Sequence, residues 1–269
     1  MAGDVIRIGN VEIVSFSETE LSFPVADAWP GVSAEQWQAN RQDLGDDGNW
    51  HPNIGCFAVR SGGRTIMVDT GLGPDSGGNL PSMMQSKGVR PEEVSTVVFT
   101  HLHFDHIGWN MVSEGGNRRP RFSNARHLIP RADLDFFGGD LEQFSYMRDQ
   151  VLPLVDMGAV DVIDSEFDIT PELRVWSTPG HTPGHISVLV NSAGEKGVIL
   201  GDVAHTPAQA YETDWCLVFD MDPDQARATR HAVFNRLEQE GLTVAAGHFP
   251  APSFGKLVRV QGRRVWQAL

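Results

Sequence analysis

Short apolar or alternating runs recur at residues 11–16, 56–60, 65–69, 96–100, 173–177, 186–190 and 198–200. Period-two alternation, or a brief apolar stretch bounded by turn residues, is what a buried or half-buried strand requires, so these runs predict β-strands. A helical period stands out from Pro223 to Glu240. There Ala226, Val233, Phe234 and Leu237 share one face with the methyl of Thr229, Asp222 is placed as N-cap, Pro223 as first helical residue and Gly241 as the stop. Strands and a helix, then a second set of strands, a helix and final strands predict two sheets packed face to face with helices outside. The expected unit is one α+β domain over residues 1–269. Residues 71–78 and 113–120, rich in Gly, Pro, Ser and Asn, predict loops within it. Residues 21–50 carry Phe23, Trp29, Trp37 and Trp50 without a strand pattern. They predict an N-terminal arm that covers a substrate site, makes a homodimer contact, or is anchored to the body by its aromatics.

Composition narrows the partners. The 269 residues and 41% hydrophobic content allow a substantial core. With 35 Asp+Glu against 21 Lys+Arg, the formal charge of −14 opposes phosphate backbones, so no nucleic-acid partner is expected. No stretch approaches the roughly 18 apolar residues of a membrane span. The start, Met1-Ala2-Gly3-Asp4-Val5, has no export-signal pattern, so the expectation is a soluble, cytoplasmic protein without a membrane partner. Cys56 and Cys216 each sit among apolar neighbours and read as two buried thiols rather than a disulfide framework.

Candidate chemistry concentrates after the apolar run Thr96-Val97-Val98-Phe99, in Thr100-His101-Leu102-His103-Phe104-Asp105-His106-Ile107-Gly108. If the chain stays extended across His101 and His103, both rings lie on one face, and a turn can direct Asp105 and His106 to a second position nearby. Imidazole nitrogen and carboxylate oxygen are ligands for zinc and other divalent first-row metals. Burying four such groups without a metal would leave donors unmatched. Two metals need about six ligands, often with a bridging carboxylate. Further ligand types stand at other strand ends: His181 in Pro179-Gly180-His181, Asp202 in Leu200-Gly201-Asp202 and His248 in Ala246-Gly247-His248.

The string His-x-His-x-Asp-His, followed in order by Pro-Gly-His, Gly-Asp and Gly-His, resembles the metallo-β-lactamase superfamily across nearly the whole chain. The resemblance implies an αββα sandwich with the site at one edge of the sheets. His101, His103 and His181 would hold one divalent metal, Asp105, His106 and His248 the other, and Asp202 would bridge them. Zinc is the expected metal, with Mn, Co or Fe as alternatives. Met67-Val68-Asp69-Thr70-Gly71 resembles the family's strand-end Asp-x-Gly element, where Asp69 would orient a ligand imidazole or cap a turn.

Within the superfamily the fold does not fix the substrate. Common zinc β-lactamases have cysteine where Asp202 stands and lack the histidine matching His106. Glyoxalase II carries a helical C-terminal domain, and only 21 residues follow His248. Nucleases bring basic surfaces, and flavodiiron proteins place an acid where His103 sits. The long arm, Gly201-Asp202-Val203-Ala204-His205 and the ending Gly247-His248-Phe249-Pro250 are similar to the branch of N-acyl-homoserine lactonases and methyl parathion hydrolase. That branch implies a dinuclear metal-dependent hydrolase attacking with a metal-bridging hydroxide, with Asp105 steering the nucleophile. Well-known lactonases have a tyrosine three residues after the bridging acid. Here that position is His205, which either donates to a substrate oxygen or lines the pocket. His185, in the second Pro-Gly-His, is expected to be structural. The expected substrate is a neutral, partly hydrophobic small-molecule lactone or ester, with a phosphotriester as alternative. An iron-binding redox or sensor protein is the competing class.

Overall fold

A computed structural model describes residues 3–269, and Met1 and Ala2 of the expected unit lie outside the described residues. In the first half, the strands are β1 (Val5–Ile8), β2 (Val11–Glu20), β3 (Asn53–Ser61), β4 (Arg64–Val68), β5 (Val94–Val98), β6 (Met111–Glu114), β7 (Asn117–Pro120), β8 (Arg126–Pro130) and β9 (Val160–Ile163). All but β6 and β7 form one sheet in the order β1-β2-β3-β4-β5-β8-β9, antiparallel through β4 and parallel beyond. The second half supplies β10 (Asp168–Thr170), β11 (Leu173–Ser177), β12 (Ile186–Ser192), β13 (Glu195–Ile199), β14 (Thr243–Ala245), β15 (Phe254–Val260) and β16 (Arg263–Ala268). These pair in chain order, with only β13 and β14 parallel.

Alternation along each strand builds the layers, because successive side chains point to opposite faces. On β2, Val11 and Ile13 enter the core between the sheets, whereas Val14 and Phe16 pack on the outer face of the first sheet. The second sheet contributes Leu173, Val175, Val188, Val190 and Phe254 to the shared core. Its outer face is covered by the helix Pro223–Glu240 through Val233, Phe234 and Leu237. Helices containing Leu80, Met84, Phe137 and Met147 cover the other side, giving the expected αββα order.

The helix Pro223–Glu240 has its predicted bounds, with the Asp222 side chain accepting from Gln225 N and Gly241 left-handed at φ 64°. The loop expected at 113–120 is instead part of the β6–β7 hairpin. Its Gly115-Gly116 turn, both residues at positive φ, supplies the backbone twist a tight hairpin favours. Cys56 is buried as expected, but Cys216 is only half-buried, and both are free. Among the described residues no helix is long and apolar enough to cross a membrane.

The arm folds onto its own body. Short helices Val25–Ala28 and Ala34–Ala39 are joined by a turn, and Ser33 and Gln36 form a reciprocal cap. Trp29, Trp37 and Trp50 cluster with Ala208, Trp215 and Leu217. Trp29 is fully buried, with its ring 5.2 Å from Trp50 and 5.7 Å from Trp37. A bridge between Phe23 and Trp50 then presents both rings toward the edge where the two sheets open.

Candidate metal centre

The seven expected ligand residues and His205 meet at one edge of the sandwich, each at or just beyond a strand end. β5 ends at Val98, and His101, His103, Asp105 and His106 follow across a turn and the helix Phe104–Ile107. His181 lies between β11 and β12, Asp202 after β13 and His248 after β14. The strands terminate there because their buried apolar runs give way to Gly, Pro and polar residues whose groups need other partners.

One set of donors joins the halves. His101 Nε2 is 3.0 Å from His103 Nδ1, which is 3.0 Å from His181 Nε2 across a sequence separation of 78. A second set comprises Asp105, His106 and His248, with Asp105 Oδ2 3.6 Å from His106 Nε2 and 3.7 Å from His248 Nε2. Between them, Asp202 Oδ2 is 2.9 Å from His248 Nε2, 3.3 Å from His181 Nε2, 3.5 Å from His106 Nε2 and 3.8 Å from His101 Nε2. His106 Nε2 and Asp202 Oδ1 are buried without hydrogen-bond partners. Converging imidazoles cannot all satisfy one another by hydrogen bonds, whereas a shared cation satisfies them together.

The far sides of the rings are fixed. Asp69, in the left-handed region at φ 61°, places Oδ2 2.9 Å from His106 Nδ1. Its carboxylate is itself held by the Thr100 backbone N–H at 2.8 Å and hydroxyl at 2.7 Å. The ring-orienting alternative for Asp69 is therefore the one its geometry matches. His248 Nδ1 meets the Asn53 carbonyl at 2.8 Å. His181 Nδ1 meets Asp220 Oδ1 at 2.8 Å, and Asp220 Oδ2 meets the fully buried Arg230 guanidinium at 3.2 Å. His185 points away from the donors: its Nδ1 donates to the Thr178 carbonyl at 2.9 Å, and its Nε2 accepts from Asp202 N at 2.8 Å. It thus holds the backbone of Asp202. Gly201 must be glycine beside it, because at φ +60° a Cβ would lie 2.5 Å from His185 Nε2.

Protonation follows this charge layout. Burial lowers His101 and His103 well below the ordinary histidine value, with neighbouring imidazoles adding to the effect. Burial also opposes protonation of His106, but the Asp202, Asp105 and Asp69 carboxylates outweigh it and raise that ring. His181 is raised to about 9 because Asp202 and Asp220 together overcome burial. Asp202, despite burial, is held well below the carboxylate range by His248, His106 and His101. The cluster therefore calls for positive charge, as protons or as metal.

Above the donors lies a narrow cavity of about 70 Å³, with apolar walls that include Leu21, Phe23, Trp50, Ile54, Leu217 and Phe219. His205 is buried at its inner end, and burial lowers it to about 4. Its Nε2 is 3.3 Å from Asp202 Oδ2, and neither ring nitrogen makes a hydrogen bond. Sequence reasoning missed Asp220, Arg230 and Asp133. Arg230 had a signal, a charged residue on the apolar face shared by Ala226, Val233 and Leu237, whereas the two aspartates stand alone in the sequence.

The model of the metallo-beta-lactamase superfamily matches residues 53–248, a span that opens on the β3 strand and closes on the last candidate ligand. The chain belongs to the metallo-β-lactamase superfamily. Among superfamily members, it is similar to an N-acyl homoserine lactonase of Bacillus thuringiensis, 23% identical over 218 residues covering 72% of this chain and 80% of the relative. An N-acyl homoserine lactonase of a Bacillus species is 26% identical over 184 residues, covering 60% of this chain and 67% of the relative. Among solved structures, the hydrolase AbOPH matches with a TM-score of 0.86 at 24% identity, covering 98% of this chain and 96% of its own. AidC, a dizinc quorum-quenching lactonase, matches with a TM-score of 0.85 at 21% identity and the same coverages of 98% and 96%. The family model bears out the resemblance to the superfamily, and these relatives support its lactonase and parathion-hydrolase branch.

Proposed function

We propose that this chain is a dinuclear metal-dependent hydrolase that opens lactones or cleaves esters of neutral, partly hydrophobic small molecules. One observation carries the reading: two sets of His/Asp donors share Asp202 at the floor of an apolar cavity. His101, His103 and His181 would hold one ion, Asp105, His106 and His248 the other, with Asp202 between them. The donor types suit zinc, with manganese, cobalt or iron as alternatives. Nitrogens on a tetrahedral zinc stand about 3.3 Å apart, and the 3.0 Å spacings in the histidine set support that fit. The unpartnered His106 Nε2 and Asp202 Oδ1 support it independently. The lactonase relatives favour a carbonyl substrate.

When bound, the two cations supply acidified water as nucleophile and polarise the substrate oxygen. The chain does the rest. Asp69, Asp220 and the Asn53 carbonyl orient the imidazoles. Asp105, half-buried and lining the cavity, would steer the nucleophile and shuttle a proton. His205 would donate to a substrate oxygen. Leu21, Phe23, Trp50 and Phe219 receive the apolar limb and exclude water.

The test is metal-loaded protein assayed on acyl lactones, esters and paraoxon-like triesters. Acyl lactones should show the largest kcat/KM, and His205→Ala should lower kcat more than it raises KM. The opposite substrate ranking would instead assign phosphotriester hydrolysis, and indifference to His205→Ala would reduce that residue to a wall. Elemental analysis should return close to two metal equivalents, as the seven donors require. Iron with visible absorption bands and no hydrolysis would establish the redox or sensor class.

A further inference from the structure

We propose that Asp133 is a positioning residue that sets the gap across which the first metal is held, an inference that rests on the dinuclear reading above. Asp133 lies in the first turn of the helix Arg131–Gly139, directly after β8, and is fully buried. Its Oδ2 accepts from Leu102 N at 3.1 Å and from the Thr182 hydroxyl at 2.8 Å, and its Oδ1 accepts from Gly184 N at 2.6 Å. Leu102 is the residue between His101 and His103, and Thr182 directly follows His181. One carboxylate thereby grips the loop that follows β5 of the first sheet and the loop that precedes β12 of the second.

The three imidazoles of this set meet where those loops meet. His103 and His181 approach to 3.0 Å although they come from different sheets. In the other set, Asp69 and the Asn53 carbonyl hold His106 and His248, and Asp69 also reaches His101 through the Thr100 hydroxyl. The sequence around the grip is shaped for it. Pro183 has no N–H to compete for the carboxylate, leaving the Thr182 hydroxyl and Gly184 N–H as the donors on either side. Gly184 has no room for a side chain, because a Cβ there would lie 2.6 Å from Asp133 N. Among the described residues no Lys, Arg or His forms an ion pair with Asp133. Its three donors, two backbone N–H groups and a hydroxyl, are neutral.

Isosteric Asp133→Asn puts an amide N–H₂ against at least one of those donors and removes the charge. Thr182→Val removes one strand of the grip at nearly constant volume, and Thr182→Ser restores the hydroxyl. Zinc titration against a competing chelator should resolve two binding steps in the unmodified protein, with the step abolished by His181→Ala marking the histidine set. Asp133→Asn should weaken that step roughly 10- to 100-fold, as loss of a supporting partner does, and leave the other step in place. Thr182→Val should weaken the same step and Thr182→Ser should recover it. Thermal unfolding of the metal-free proteins is measured in parallel. If Asp133→Asn and Thr182→Val lower metal-free stability but leave zinc affinity of the folded protein unchanged, the grip is only structural and the inference fails. If the unmodified protein shows no step sensitive to His181→Ala, the dinuclear reading fails first.

Discussion

The floor of the cavity and its aromatic wall are built on opposite principles. On the floor, polar atoms with narrow geometric demands fix one another: Asp202 lies within 3.8 Å of four ligand imidazoles, and the far nitrogens of His106, His181 and His248 meet further polar groups. The wall carried by residues 21–50 is held by apolar contact, with tryptophan rings packed edge-on and tilted around Trp29. Directional bonds preserve a geometry that chemistry needs, whereas packing preserves a volume and tolerates changes of shape. The floor is thus suited to one kind of attack, and the wall to choosing what is attacked.

This contrast can be broken by experiment. The largest effect should come from Asp202→Ala, which removes the carboxylate common to both donor sets. Zinc should be lost from both steps, and kcat/KM should fall by about 10³-fold or more, the order found when a charge-stabilising group is deleted from an active site. Retained activity with one metal would move the bridge elsewhere. Trp29→Ala should act through packing instead, lowering unfolding free energy by about 3–5 kcal/mol in a denaturant titration while zinc affinity of the folded protein stays the same. Zinc loss comparable to that of Asp202→Ala would show that wall and floor are one unit. The smallest effect is expected at the rim, where Phe219 is 46% exposed. Phe219→Ala should raise KM for a long-chain lactone about fivefold, the worth of roughly 1 kcal/mol of apolar contact, with kcat unchanged. A selective fall in kcat would place that ring in the chemistry.

Legibility in the sequence follows the same division. His101, His103, Asp105, His106, His181, Asp202 and His248 could be read because they follow the ends of four short apolar runs, and polar ligand types at strand ends are conspicuous. The two-sheet architecture was legible from the same alternation. Asp133 and Asp220 were not, because each acts on residues distant in the chain and neither has a periodic or motif setting. Asp220 reaches its histidine over a separation of 39, and Asp133 reaches Gly184 over 51. The β6–β7 hairpin was hidden by its polar strands, although Gly115-Gly116 is itself a hairpin signal. The fate of residues 21–50 depended on what their tryptophans would meet, and Trp215 and Leu217 lie far along the chain.

Each of the two large sheets takes its strands from one half of the chain, β1 to β9 without the β6–β7 hairpin and then β10 to β16. During synthesis the first stretch leaves the ribosome before the second exists, taking His101, His103, Asp105 and His106 with it but not His181, Asp202 or His248. Domains generally fold as units, and the two sheets here share one core. On the dinuclear reading proposed above, tight metal capture therefore has to wait for the final strands. Metal loading would then be a late step, completed only when His181, Asp202 and His248 join the donors of the first half.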